Sequence, residues 1–296
     1  MAREHMRSWK IGDVTVTRIV EIWNFTDHIN MTLKDGQPEE VLALEWLHPH
    51  YATPDGQQVM NFQGFVVQAP GLNVMLDTCI GNERDRFYDV FANLNTSFIA
   101  DLGTLGLTPA DIDVVLCTHL HFDHVGWNTR LDNGRWVPTF PNARYLFSRR
   151  DFEHFRDTNE ESDHAAAFLD SIVPVMEAGL GEIVEADIAV HREIADGVWL
   201  EPAFGHSPGC CTIHARREGP EALFWGDVVH HPIQLVRPDL PFFFDMDIAA
   251  ASATRRRVLE RAADGDITCF PAHFRSTSAG QVRRDGDVYR YEFVPG

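Results

Sequence analysis

One run limits what this chain can become more than any other: Thr118-His119-Leu120-His121-Phe122-Asp123-His124-Val125-Gly126. Directly ahead of it stands Val114-Val115-Leu116-Cys117, an apolar run that reads as a short buried strand. Residues two apart on an extended chain point the same way, so His119 and His121 can grip one ion together. Asp123 and His124 follow where the chain must turn, and can face a second ion beside the first. Imidazole nitrogens with a carboxylate suit zinc or a similar borderline divalent metal. A lone histidine would carry little information; three histidines and an aspartate within residues 119–124 carry a great deal.

The pattern His-x-His-x-Asp-His after a strand resembles the signature of the metallo-β-lactamase superfamily. That family completes its site with three distant ligands, and each has a counterpart here. His206 lies in Gly205-His206-Ser207-Pro208-Gly209, Asp227 ends the apolar run Phe224-Trp225-Gly226, and His273 closes Cys269-Phe270-Pro271-Ala272. The resemblance spans roughly residues 60–275. It implies an α/β (α+β) fold, the four-layer αβ/βα sandwich, with metals at one edge between two sheets. It also implies that His119, His121 and His206 hold one ion, that Asp123, His124 and His273 hold the other, and that Asp227 bridges them. Two such ions share a water and lower its pKa towards neutrality, which supplies a metal-bridging hydroxide as nucleophile. Zinc is the expected metal, with Mn²⁺, Co²⁺ or Fe²⁺ as alternatives. Asp123 can also steer the proton of that water.

The ligand set separates branches of the family. Zinc β-lactamases carry cysteine where Asp227 stands, and diiron redox members put glutamate where His121 stands. A metal-dependent hydrolase remains, similar to the N-acyl homoserine lactonase and methyl parathion hydrolase branches. The lactonases usually place a tyrosine three residues after the bridging aspartate. Here that position is His230, expected either to donate to a developing oxyanion or to steady Asp227. His231 beside it is expected to matter little. Cys210 takes the place of a histidine in the family's Gly-His-Thr-Pro-Gly-His and is expected to be a neutral packing residue.

Charge narrows the substrate. With 44 acids against 25 bases the net charge is −19, which disfavours nucleic acids and favours a small neutral substrate. Hydrolysis of neutral esters, above all lactones, is the leading expectation. Organophosphate triesters are the alternative, followed by a glyoxalase-II-like thioesterase and a non-catalytic metal-binding relative. The five cysteines include no Cys-x-x-Cys pair, and no apolar run is long enough to span a bilayer; both favour the cytoplasm.

Along the chain, a length of 296 residues with no clean linker suggests one domain over 1–296. Val14–Ile22 alternates as a strand. An irregular arm over about 23–61 follows, helical only at 39–47 and read as a lid or a homodimer contact. Strands are expected at 65–68, 73–77, 144–148, 188–192, 198–202, 211–215, 222–225 and 267–270. Asn133-Gly134 and Asp285-Gly286 mark hairpins, and helices are expected at 95–105, 149–155, 164–178 and 248–263. Asp77 and Thr78 are expected to support the site. Within the helices His154 and His164 are expected at the surface, as is the Arg255-Arg256-Arg257 run. Trp23, Phe25, Trp46, Phe62, Trp127 and Phe242-Phe243-Phe244 are the aromatics available for an apolar pocket.

Overall fold

The computed structural model describes residues 6–158, 161–186, 192–195 and 197–296. Period-two alternation and β-branched runs produce two seven-stranded sheets. The first is built from β1 (Met6–Ile11), β2 (Val14–Asp27), β3 (Gln58–Ala69), β4 (Leu72–Leu76) and β5 (Val114–Leu116). A separate hairpin, β6 (Thr129–Asp132) and β7 (Arg135–Pro138), turns at Asn133-Gly134 before β8 (Arg144–Ser148) and β9 (Gly181–Val184) rejoin the sheet. Its first four strands are antiparallel; β4, β5, β8 and β9 run parallel. The second sheet takes β10 (Arg192–Ala195), β11 (Val198–Pro202), β12 (Cys211–Ala215), β13 (Glu221–Phe224), β14 (Ile267–Cys269), β15 (Gly280–Asp285) and β16 (Val288–Phe293) in that order. Only β13 and β14 are parallel there.

Three apolar layers hold these sheets. Between them, Trp9, Val16, Phe65 and Leu116 of the first sheet meet Leu200, Ile213 and Phe224 of the second. On the outer face of the first, Val115, Tyr145 and Phe147 pack against Phe98 and Leu102 of α3 (Phe98–Thr104) and Phe155 of α5 (Arg149–Asp157). On the outer face of the second, Leu223 and Val282 pack against Val258 and Leu259 of α9 (Ile248–Asp264). The order helix, sheet, sheet, helix is the four-layer αβ/βα sandwich that the sequence implies. Shorter helices connect it: α1 (Ile29–Thr32), α2 (Pro38–Leu42), α4 (Phe122–Val125), α6 (Asp163–Ala167), α7 (Val173–Glu177) and α8 (Ile233–Val236). No helix among the described residues is long and apolar enough to cross a membrane.

Several expectations need correction. The irregular arm is shorter than 23–61, because β2 continues to Asp27 and β3 begins at Gln58. Register shifts between Val20 and Ile22 and between Ile22 and Phe25 break the alternation that a sequence pattern relies on. The strands β1 and β9 lie at one edge each of the first sheet and escaped notice. The strand expected at 188–192 lies, apart from Arg192, outside the described residues. Arg255 is not on a solvated face: it is 1% exposed, with Nε donating to the Val228 carbonyl at 2.7 Å and Nη1 to the Pro238 carbonyl at 2.9 Å.

Candidate metal centre

The parallel strands deliver the chemistry. Strand β5 ends at Leu116, and the backbone N–H of Thr118 then donates to Asp77 Oδ1 at 2.7 Å. The chain turns through α4 and presents His119, His121, Asp123 and His124 beyond the carboxyl end of the strand. The second sheet supplies the facing residues: His206 follows β11, Asp227 follows β13 and His273 follows β14. Gly226 lets Asp227 approach, since its φ is +51° and a Cβ there would stand 2.5 Å from Thr118 Oγ1.

The seven residues form two clusters with one member in common. His119, His121, His206 and Asp227 make the first; Asp123, His124, Asp227 and His273 make the second. His206 Nε2 lies 3.1 Å from His119 Nε2 and 2.9 Å from His121 Nδ1. Asp227 turns Oδ2 to the first cluster, 3.3 Å from His206 Nε2, and Oδ1 to the second, 3.1 Å from His124 Nε2 and 3.0 Å from His273 Nε2. Asp123 Oδ2 stands 3.6 Å from both His124 Nε2 and His273 Nε2.

Partners behind the rings fix which nitrogen is bare. His124 Nδ1 pairs with Asp77 Oδ2 at 2.9 Å, His206 Nδ1 with Asp245 Oδ1 at 3.0 Å, and His273 Nδ1 donates to the Asn61 carbonyl at 3.0 Å. Each such bond puts the proton on Nδ1 and leaves a lone pair on Nε2 aimed at the centre. Ring nitrogens of His119 and His121 converge within 2.9–3.1 Å of His206 Nε2, a spacing that suits lone pairs directed at one cation. His124 Nε2 and Asp227 Oδ1 are buried with no hydrogen-bond partner. A donor set of this kind fits divalent transition-metal ions. The electrostatics differ between the clusters: burial alone would lower His124 and His273, but Asp227 and Asp123 hold both above the usual imidazole range, positive charge being favoured there. Burial pushes His119 and His121 well below the usual imidazole range. Burial alone would raise Asp227, but His124, His230 and His273 hold it well below the usual carboxylate range.

His230 is buried over the same carboxylate, with Nε2 3.0 Å from Asp227 Oδ2 and its ring stacked on Phe242 at 3.5 Å. Its Nε2 proton is therefore engaged with Asp227, the arrangement of a residue that steadies the carboxylate. His231 departs from expectation: it is fully buried, and its Nε2 pairs with the Tyr51 carbonyl at 2.8 Å, so replacing it costs stability. Cys210 is buried outside both clusters, and burial raises its thiol well above the usual range. Asp77 supports the centre as expected, and Thr78 Oγ1 contacts the His124 carbonyl at 3.3 Å.

Three supporting residues went unread in the sequence. Asp245 links His206 to Arg255 Nη2 at 3.3 Å. Asp151, fully buried, accepts from Leu120 N at 3.1 Å and Ser207 Oγ at 2.9 Å, tying the two histidine-bearing loops together. His164, expected at the surface, stacks on His121 with ring centroids 3.9 Å apart; burial pushes it down to about 3, which keeps it neutral. His154 does lie at the surface. The acids sit on or beside helices, where a charged side chain reads as solvent-facing; the only sequence signal for Asp245 was its place in Phe244-Asp245-Met246-Asp247.

Above the centre opens a cavity of about 300 Å³. His121, Asp123, Asp227, His230 and His273 form its floor, and Phe25, Phe62, Phe91, Phe122, Phe242 and Phe244 its walls. Met31, Val90 and Phe243 stand at the rim. Trp127 is elsewhere, stacked on Phe98 and donating to Glu21 at 2.7 Å. Trp23 and Trp46 are also outside the lining, Trp23 beneath the Arg18 guanidinium and Trp46 against the second sheet's outer core. No lysine or arginine is among the described residues that line the cavity.

The molecule has known relatives. An N-acyl homoserine lactonase, AttM, of Azorhizobium caulinodans is 38% identical over 129 residues, 42% of this chain and 44% of that protein. The chain spans about half or less of the length of the curated relatives it matches. Among solved structures, the dizinc quorum-quenching lactonase AidC superposes with a TM-score of 0.78 at 18% identity, over 98% of this chain and 97% of that one. AbOPH, described as a hydrolase in the beta lactamase superfamily, does so with a TM-score of 0.79 at 21% identity, over 98% and 97%. At such identities these two structures speak for the fold. The sequence itself matches the family profile described as "Metallo-beta-lactamase superfamily" over residues 63–273, the stretch that carries all seven clustered residues. Two sheets, seven convergent histidines and aspartates and that match give one answer: the chain belongs to the metallo-beta-lactamase superfamily.

Proposed function

We propose that the chain is a single-domain, metal-dependent hydrolase of neutral esters, with lactones as its main substrates. The observation that carries this reading is the pairing of a two-cluster floor with aromatic walls free of lysine and arginine among the described lining residues. His119, His121 and His206 with Asp227 hold one ion; Asp123, His124 and His273 with Asp227 hold the other. Zinc is the metal we assign. When bound, the pair supplies Lewis acidity towards the attacked carbonyl and an activated water. The protein's own part is to fix this geometry. Asp77, Asp245 and the Asn61 carbonyl hold the rings, Asp123 takes and steers the water proton, and His230 steadies Asp227. The aromatic walls exclude water and seat an apolar tail. The names of AttM and AidC point the same way.

The arm serves as a wall and lid in this reading. Phe25, Asp27, Met31 and Thr32 line the cavity, and the arm is pinned to the opposite wall by Phe243 N donating to the Thr32 carbonyl at 2.7 Å. Phosphotriester hydrolysis is the second reading, favoured by His230 at the position where the lactonases keep a tyrosine.

A substrate panel of lactones, aryl esters, phosphotriesters and thioesters, run on zinc-loaded protein, tests this. Lactones should give the highest kcat/KM. A higher value for phosphotriesters would promote the second reading, and a preference for hydroxyacyl-glutathione the thioesterase one. Absence of all turnover from fully metal-loaded protein would leave a binding protein.

A further inference from the structure

A second cavity, of about 310 Å³, opens where β1 and β2 meet the 275–277 loop. Arg7, Arg18, Arg275, His50, Trp23 and Asn24 line it, and it shares no described lining residue with the cavity over the clusters. Its charge runs against that of the molecule. The chain carries −19 overall, yet three guanidiniums meet here and no aspartate or glutamate is among the described residues that line the cavity. The register of β1 on β2 sets Arg7 directly opposite Arg18. Like charges so placed destabilise an antiparallel pair. Burial first, and the charge of Arg7 second, pull the Arg18 guanidinium down to about 9. Burial, followed by the charge of Arg275, lowers His50 below the usual imidazole range, so that ring adds polarity without adding charge.

The three arginines divide the work. Arg18 is buried, gives Nη1 to the Ser276 carbonyl and lies over the Trp23 ring at 5.4 Å, so it supplies fixed charge from beneath. Arg275, half-buried, donates Nε to Asn24 Oδ1 and Nη1 to the Pro49 and His50 carbonyls at 2.8 and 3.3 Å. Those bonds set the plane of its guanidinium and leave Nη2 without a hydrogen bond among the described residues. Arg7 is exposed, and its guanidinium makes neither a hydrogen bond nor an ion pair with any described residue. Two cationic donors therefore remain to be satisfied, above a third charge that cannot leave.

We propose that this cavity is a second binding site, for a small phosphorylated molecule, with Arg7 and Arg275 donating to the phosphate oxygens. A phosphate monoester carries about −1.5 to −2 at pH 7 and offers three acceptor oxygens, which three guanidiniums balance better than they would the single charge of a carboxylate. Small-molecule sites usually span about 300–1,000 Å³, so this one has room for a modest organic part beside the phosphate. The site stands whichever ester the metal cavity takes.

Calorimetric titration of zinc-loaded protein with inorganic phosphate, glycerol 3-phosphate and acetate tests this on wild type and on Arg7→Gln. Both phosphates should bind wild type, the ester at least as tightly as the ion, and acetate roughly tenfold more weakly or worse. Arg7→Gln should weaken both phosphates roughly tenfold or more, the worth of a charge-assisted hydrogen bond, and Arg7→Lys should recover part of the loss. Metal content should stay unchanged in both variants, and the anion-free melting temperature of Arg7→Gln should not fall, because a like-charge contact is relieved. Phosphate can also meet zinc directly, and Arg7 separates the two sites. An anion held only at the metal centre would bind Arg7→Gln as it binds wild type, which would overturn the proposal. So would no binding to wild type at millimolar phosphate, exclusion of the ester where the ion binds, or acetate bound as tightly as phosphate.

Discussion

In the two clusters at and beneath the floor of the cavity, His124, His206 and His273 are each held by a partner behind the ring, and the clustered residues are buried or nearly so. At the mouth, Met31, Val90 and Phe243 stand 63%, 54% and 62% exposed. The floor draws on strand ends of both sheets, locked by Asp77, Asp245 and Asp151. The mouth draws on the arm, the 84–91 loop and the 238–247 segment, and backbone bonds such as Lys34 N to the Pro241 carbonyl at 2.9 Å join the arm to the 238–247 segment. The contrast assigns labour. Geometry that must hold charged ligands is over-determined, whereas geometry that admits a substrate is left free to vary.

Four substitutions test that division. Asp227→Ala should have the largest effect, because it removes the one residue common to both clusters. Metal content by elemental analysis should fall below two per chain, and turnover should drop by about a thousandfold or more. Two bound ions with near-normal turnover would break the idea of a shared ligand. His230→Ala comes next. Because its Nε2–H donates to Asp227, its loss should cost roughly 10- to 100-fold in turnover together with weaker metal binding, and His230→Gln should restore part of both. A fall in turnover at full metal occupancy would instead assign it to the oxyanion. Asp245→Ala should weaken metal affinity by a similar order, about 10- to 100-fold, measured by competition with a chelator, and should affect kcat less once metal is saturating. Phe243→Ser should be the mildest: KM for long-tailed esters rises about threefold to tenfold while kcat and metal content stay put. Metal loss in that variant would show that mouth and floor are not separable.

What could be read in the sequence divides along the same line. His119 to His124 are contiguous, and His206, Asp227 and His273 each end an apolar strand, so order and spacing gave them away. The supports were hidden. Arg255 opens a run of three arginines on a helix, and nothing in a helical repeat says that this one points inward to the Val228 carbonyl. His164 reads as one more polar residue at a helix start, although its face is set by the turn that stacks it on His121. Trp127 could have served a pocket or the core, and its indole N–H finding Glu21 places it inside. Pairing across the fold decides these cases, and pairing leaves no periodic trace. The four-layer order was legible because each layer has its own period, whereas the edges of the arm were blurred by register shifts in β2.

The seven clustered residues are divided between the two sheets: four follow β5 of the first, and three follow β11, β13 and β14 of the second. Ions held there would act as a clasp across the seam between the halves, with Asp227 common to both clusters. Unfolding would open that clasp, so free metal concentration would become a thermodynamic lever on the whole molecule. Each ion bound only by the folded chain adds stability that grows with the logarithm of its concentration, about 2.7 kcal/mol at a hundred times its dissociation constant. Thermal unfolding followed across a zinc series buffered by chelator should therefore show a melting temperature that climbs steadily with free zinc. A melting temperature indifferent to zinc would mean that the sheets hold together without the clasp.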